Sequence, residues 1–223
     1  MNKDDNMERL TNELISVPQV RVIAHCMFDG WIYSNPKQGK YYIGYSNSND
    51  VLINQFKKDM CEVYGLNKGS QRMNNHGVTM IEYGSKEAFR AIRSLVGNKT
   101  RIPACIIIGT KKIKIAFLRT FFDDEGRVVF SPETHTRKIA GTSTNPIIRK
   151  QLITLLENIG ISGRENGVDV TITGKENIYK FSSKVGFTPG VKVKRKREFS
   201  KWFGIEKNEL IKKLLASYKE KSE

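Results

Sequence analysis

The chain has 223 residues, enough for one large domain or two small ones with a substantial core. Hydrophobic residues at 39% and charged residues at 27% fit a globular chain, and no apolar run approaches the ~18 residues a membrane-spanning helix needs. Thirty-eight Lys and Arg against twenty-three Asp and Glu leave a net charge of +15, a field that concentrates polyanions. Residues 192–223 hold +6 of that charge and the body +9, which points to a broad basic face rather than a basic tail. Cys26, Cys61 and Cys105 are widely spaced, with no CxxC pair and only three histidines in the chain. That pattern argues against a zinc finger and for buried thiols in a reducing compartment, the cytoplasm. The opening MNKDDNMERL is polar and acidic, and reads as neither a secretory signal nor an Arg-rich transit peptide.

After an N-terminal extension over 1–16, Pro18 sits where a helix tolerates it, in a first turn, and VIAHCMFDG (22–30) closes that helix on an acid and a glycine. Tyr- and Ile-rich stretches, WIYS and KYYIGYS, predict a hairpin. Asn49 and Asp50 open a second helix, DVLINQFKKDMCEVYG (50–65). GVTMIEYG (77–84) predicts a further strand, and KEAFRAIRSLVG (86–97) a third helix. The same order then recurs. LRTFFDDEG (118–126) matches VIAHCMFDG at an offset of 96, as do Ile139 with Ile43 and Asn145 with Asn49. RVVF and RKIAGTS repeat the hairpin, and Asn145-Pro146 caps PIIRKQLITLLENIG (146–160). GVDVTITG (167–174) and KENIYKFSSKVG (175–186) follow at offsets of 90 and 89. The chain therefore reads as α+β, an αββαββα unit performed twice, over 17–108 and 109–200. Residues 201–223 add a basic helical extension with Trp202, Ile205, Leu210, Ile211, Leu214 and Leu215 as its buried stripe.

In a sheet covered by helices on one face, alternate residues point away. With Ile43 and Ile139 inward, Lys40, Tyr42, Ser46, Lys138 and Thr142 point outward, onto a polar, basic and partly aromatic surface. Asp29 and Glu125 fall at helix C-termini, where the macrodipole disfavours acids. A divalent cation between them would offset both the dipole and their mutual repulsion.

VIAHCMFDG and LRTFFDDEG resemble the paired signature helices of single-chain LAGLIDADG homing endonucleases, over roughly residues 17 to 200. The resemblance implies two repeats about a pseudo-twofold axis, their antiparallel sheets forming a DNA-binding saddle, with Ala24 and Thr120 at the small positions where the helices pack. It implies a monomeric, Mg²⁺-dependent, site-specific double-strand endonuclease that cuts across a minor groove and leaves short 3′ overhangs. Mn²⁺ or Ca²⁺ would substitute in binding. A DNA-binding regulator or an intron RNA-splicing maturase on the same scaffold is the alternative. Asp29 and Glu125, with Gly30 and Gly126 beside them, would form the metal site, and Asp123 and Asp124 would be structural or solvent-exposed. His25 and Met27 depart from the usual leucine and first acid. Asn49 and Asn145 fall where a glutamine often supports the water network, and they are equally placed as helix N-caps. Lys194, in VKVKRK, matches the lysine near the scissile phosphate. Its counterpart, within CIIIG (105–109), is Ile108, so basic assistance is expected on one side only. Major-groove reading is expected from Tyr33, Asn35, Lys37, Gln38, Lys40, Tyr42 and Arg72 in the first unit, and from Ser131, Arg137, Lys138 and Arg164 in the second.

Overall fold

A computed structural model describes residues 15–194 and 201–218. Most of the extension over 1–16 and part of the VKVKRK run lie outside those residues. The first unit runs α1 (Val17–Met27), β1 (Gly30–Asn35), a 3₁₀ turn (Pro36–Gln38), β2 (Lys40–Asn47), α2 (Asp50–Tyr64), β3 (Ser70–Met73), β4 (Thr79–Gly84) and α3 (Lys86–Val96). After the short helix α4 (Ala104–Ile107), the order repeats as α5 (Lys111–Glu125), β5 (Gly126–Ser131), β6 (Thr136–Thr142), α6 (Pro146–Asn158), β7 (Arg164–Asn166), β8 (Asp169–Thr173) and α7 (Lys175–Lys184). A last helix, α8 (Lys207–Ala216), follows.

Each unit forms a four-stranded antiparallel sheet, and the strand orders correspond: β1-β2-β4-β3 and β5-β6-β8-β7. The αββαββα reading therefore holds in both halves. Alternation decides which face is buried. Ile43, Tyr45, Ile81 and Tyr83 point to the core in the first sheet, and Ile139, Val170 and Ile172 in the second.

Helices α1 and α5 pack against each other between the sheets. Ala24 and Thr120, both buried, let the backbones approach, and the Thr120 hydroxyl is satisfied by donating to Ala116 O at 3.0 Å. Phe117 and Phe121 of α5 meet Phe28 across this contact, with ring centroids 5.8 and 4.9 Å away. Removing such a buried ring costs about 3–5 kcal/mol.

Gly30 and Gly126 are not left-handed stop signals. Each is the first residue of a strand, and Gly126 is extended at φ −92°, ψ 151°. Glycine is required by crowding: a Cβ on Gly30 would sit 2.7 Å from Gly44 O and His25 O, and one on Gly126 2.2 Å from Phe122 O. CIIIG folds as the single turn of α4 and its edge, which leaves Ile108 exposed.

The extension is an integral part of the second unit. Leu210, Ile211 and Leu214 are fully buried, with Trp202, Ile205 and Leu215 packed at their margin. Asn208 clamps both backbone groups of Phe187, at 2.9 and 2.8 Å, and Trp202 donates to Phe130 O at 2.9 Å.

Candidate active site and nucleic-acid face

Asp29 follows the last turn of α1, and Glu125 is the last residue of α5. The packing of these helices brings the two acids within each other's electrostatic reach. Burial, then the charges of Asp124 and Glu125, push the Asp29 carboxyl up to about 7, against the pull of His25 and Lys207. Asn47, the last inward residue of β2, donates its amide to Asp29 Oδ2 at 3.2 Å, and Ser46 donates to Asp29 O at 3.4 Å.

The side chains of both aspartates before Glu125 are buried, so of the two expectations for them the structural one holds. Asp123 accepts from the backbone and hydroxyl of Thr188 at 2.9 and 2.6 Å. Burial lifts its carboxyl to about 6 even so. Asp124 is gripped from the first unit, with His25 Nδ1 at 2.9 Å from one oxygen and Tyr45 donating its hydroxyl to the other at 2.6 Å. Burial disfavours a charged His25, but the Asp124 carboxylate outweighs it and holds the imidazole above its ordinary value.

Helix α5 opens directly into β5, and α1 into β1 after Phe28 and Asp29, leaving carbonyls at the junctions that need donors. Two lysines provide them. Lys99, in the turn after α3, donates to Gly30 O at 2.9 Å. Lys207, at the start of α8, donates to Gly126 O at 2.8 Å and Asp123 O at 3.2 Å. Burial lowers the affinity of both ammonium groups for their protons. An ammonium already on each glycine carbonyl disfavours a second cation at the same oxygen.

One lysine thus stands at each helix end, the second coming from the extension. Lys194 is exposed, and the positive charges that Asp29 senses are those of His25 and Lys207. Asn49 stands at the N-cap of α2, but its side chain makes no capping bond. It closes onto the backbone of Lys192, accepting from its N–H at 2.9 Å and donating to its carbonyl at 3.4 Å. Asn145 is an N-cap, accepting from Ile147 and Ile148, and its amide reaches across to Thr100 O at 3.0 Å. Both asparagines therefore tie one unit to the other, while Asn47 donates to the Asp29 carboxylate.

On the outward faces, cross-strand pairing puts Tyr33 opposite Tyr42, their rings stacked at 6.4 Å, and Asn35 opposite Lys40. Lys37 and Gln38 are exposed on the 3₁₀ turn, and Arg72 is exposed on β3. In the second sheet Lys138, Ser131 and Arg164 share the outward face, and Ser131 donates to Glu133 at 3.0 Å. Arg137 does not belong to that face. It lies opposite Phe130, donates to Ser217 through its hydroxyl and carbonyl at 2.8 and 3.2 Å, and stacks over Tyr218. Adjacent strand residues cannot both face the same side, and the inward place of Ile139 sends Arg137 inward too.

Among the described residues, no group of three or more His, Cys, Asp or Glu side chains is arranged to hold a metal ion by itself, and no helix is long and apolar enough to cross a membrane. Two carboxylates completed by substrate oxygens and water is the donor set that suits magnesium-like cations.

Residues 112–186 match the family model described as a LAGLIDADG-like domain. Among solved structures, the fold is similar to I-DmoI in complex with DNA and Mn, with a TM-score of 0.59 at 14% identity over 76% of this chain and 96% of that one. I-WcaI bound to its DNA recognition sequence matches with a TM-score of 0.53 at 14% identity, covering 82% and 89%. I-DmoI has also been solved with DNA and Ca, with a TM-score of 0.58 to this chain at 16% identity, over 76% and 88%. The replication factor C small subunit of Pyrococcus furiosus is 24% identical over 177 residues, 79% of this chain but only 19% of that protein. The chain thus spans about a fifth of the length of that curated relative.

Proposed function

Because the chain carries a LAGLIDADG-like domain on the two-sheet fold it shares with I-DmoI and I-WcaI, we propose that it is a site-specific double-strand DNA endonuclease. The observation that carries this reading is the meeting of Asp29 and Glu125 at the paired ends of α1 and α5, close enough that the Glu125 charge raises the cost of ionising Asp29. A carboxylate held at about 7 by burial and neighbouring acids is a site short of positive charge, and the residues present fit a divalent cation. Magnesium is the proposed resident ion, with manganese and calcium as binding substitutes. Bound there, the cation supplies Lewis acidity and a more acidic water for phosphodiester hydrolysis.

The chain's own groups have separable tasks. Asp29 and Glu125 hold the cation, and Asn47 orients one Asp29 oxygen toward it. Lys99 and Lys207 keep the helix ends rigid while opposing the accumulated negative charge. Tyr33, Asn35, Lys37, Gln38, Lys40, Tyr42 and Arg72 read base edges from one sheet, and Ser131, Lys138 and Arg164 from the other. Acting as a monomer, the two units face the two strands, and the cut crosses a minor groove to leave short 3′ overhangs.

A randomised duplex library incubated with the protein and Mg²⁺ or Mn²⁺, followed by sequencing of cleaved ends, tests the proposal. One recovered site family with short 3′ overhangs is expected. Tight, sequence-selective DNA binding without metal-dependent nicking would overturn it in favour of a DNA-binding regulator.

A further inference from the structure

The signature helices touch twice through pseudo-equivalent positions, and the two contacts are chemically unlike. Aligned at an offset of 96, His25 corresponds to Phe121 and Phe28 to Asp124. Phe28 meets Phe121 as an aromatic pair at 4.9 Å. The related contact is His25 with Asp124, fully buried, at 2.9 Å, with Tyr45 of β2 donating to the same carboxylate at 2.6 Å. The Tyr45 ring also packs on His25 at 4.2 Å, and Phe56 closes the other side of both. An apolar pair serves the packing on one side of the axis, so packing alone does not call for three polar groups on the other.

We propose that Asp124, held from the first unit by His25 and Tyr45, is a positioning residue that fixes the neighbouring Glu125 opposite Asp29, so that both carboxylates engage one cation site. The bonds are directional where the aromatic pair is not, and they join the unit bearing Asp29 to the residue next to Glu125. Slippage of α5 along α1 is tolerated by the Phe28–Phe121 contact but breaks both bonds to Asp124. This inference rests on Asp29 and Glu125 being the cation-binding pair.

Calorimetric titration of the full chain with Mn²⁺, in parallel with strand-resolved nicking, tests it. Tyr45→Phe removes one bond from Asp124 without changing charge or shape, and an approximately three-fold or greater weakening of Mn²⁺ binding is expected. The triple variant His25→Leu/Tyr45→Phe/Asp124→Ala removes all three polar groups together and leaves no buried orphan. It is expected to keep a thermal midpoint near wild type yet bind Mn²⁺ at least about ten-fold more weakly, a free-energy change of about 1.4 kcal/mol. Asp124→Asn is as neutral as the triple variant but retains partners for Tyr45 and for neutral His25. It should fall closer to wild type, which separates position from charge. Unchanged Mn²⁺ affinity in Tyr45→Phe, or an Asn variant as impaired as the triple one, overturns the positioning role. Should the triple variant fail to fold, the two single variants decide. A wild-type chain that neither binds Mn²⁺ nor nicks DNA contradicts the cation-site reading instead.

Discussion

Burial and two neighbouring acids hold the Asp29 carboxyl at about 7, so without a cation it carries a proton over much of the acidic range. Between the ordinary carboxylate value and about 7, the folded state keeps a proton that the unfolded chain has lost. This group therefore makes stability fall as pH rises through that window. Asp29→Asn should flatten the fall and leave the cation-free protein roughly 1–3 kcal/mol more stable at pH 8. Thermal midpoints at pH 5 and pH 8 check this, and a steeper fall in the variant contradicts it. A cation must displace that proton, so Mn²⁺ affinity should climb with pH up to about 7 and then level off, as read by titration at successive pH values. The juxtaposition of Asp29 and Glu125 was legible because one motif occurs twice. Asn47 was legible in principle, as a polar residue in the inward phase of β2. Lys99 and Lys207 were not, because nothing local in sequence announces which carbonyl a lysine reaches.

Among the elements, the strands were read correctly as strands, but their faces demanded a strict period of two, and Arg137 beside Lys138 violated it. The two arginine and lysine side chains now predict opposite phenotypes. Arg137→Ala should loosen α8 and lower the thermal midpoint while sparing DNA affinity. Lys138→Ala should weaken DNA binding and spare stability. Equal losses of DNA affinity in the two would return Arg137 to the DNA face. Helix α1 carries a second structural commitment: Arg21 grips the fully buried Asp59 at 2.6 and 2.7 Å, with Gln55 at 3.0 Å. Arg21→Met strands that carboxylate and should cost about 3 kcal/mol in urea unfolding. The short helix at the end of the first unit was not legible, because CIIIG has β-branched residues yet follows Pro103, where the chain turns into a single helical turn. The extension was legible as an amphipathic stripe, and its contribution of Lys207 to the α5 terminus emerged only from packing.

Across the whole molecule, charge and duplication converge. Two sheets of matching order offer outward faces in a chain of +15, only part of which comes from the C-terminal residues. Phosphate neutralisation over such a face predicts a loss of DNA affinity of roughly 10³-fold or more between 50 and 200 mM salt. A loss below about ten-fold would mean that few phosphates are contacted. The repeat made the architecture readable from sequence, since each half corroborated the other. What it concealed is the asymmetry at the axis, where a histidine–aspartate pair on one side answers two phenylalanines on the other. The central claim is that Asp29 and Glu125 together bind a divalent cation against DNA. Anomalous diffraction from crystals of the protein with its selected duplex and Mn²⁺ tests it most directly. A manganese peak within bonding distance of both carboxylates is predicted, and manganese bound elsewhere, with neither acid among its ligands, would contradict it.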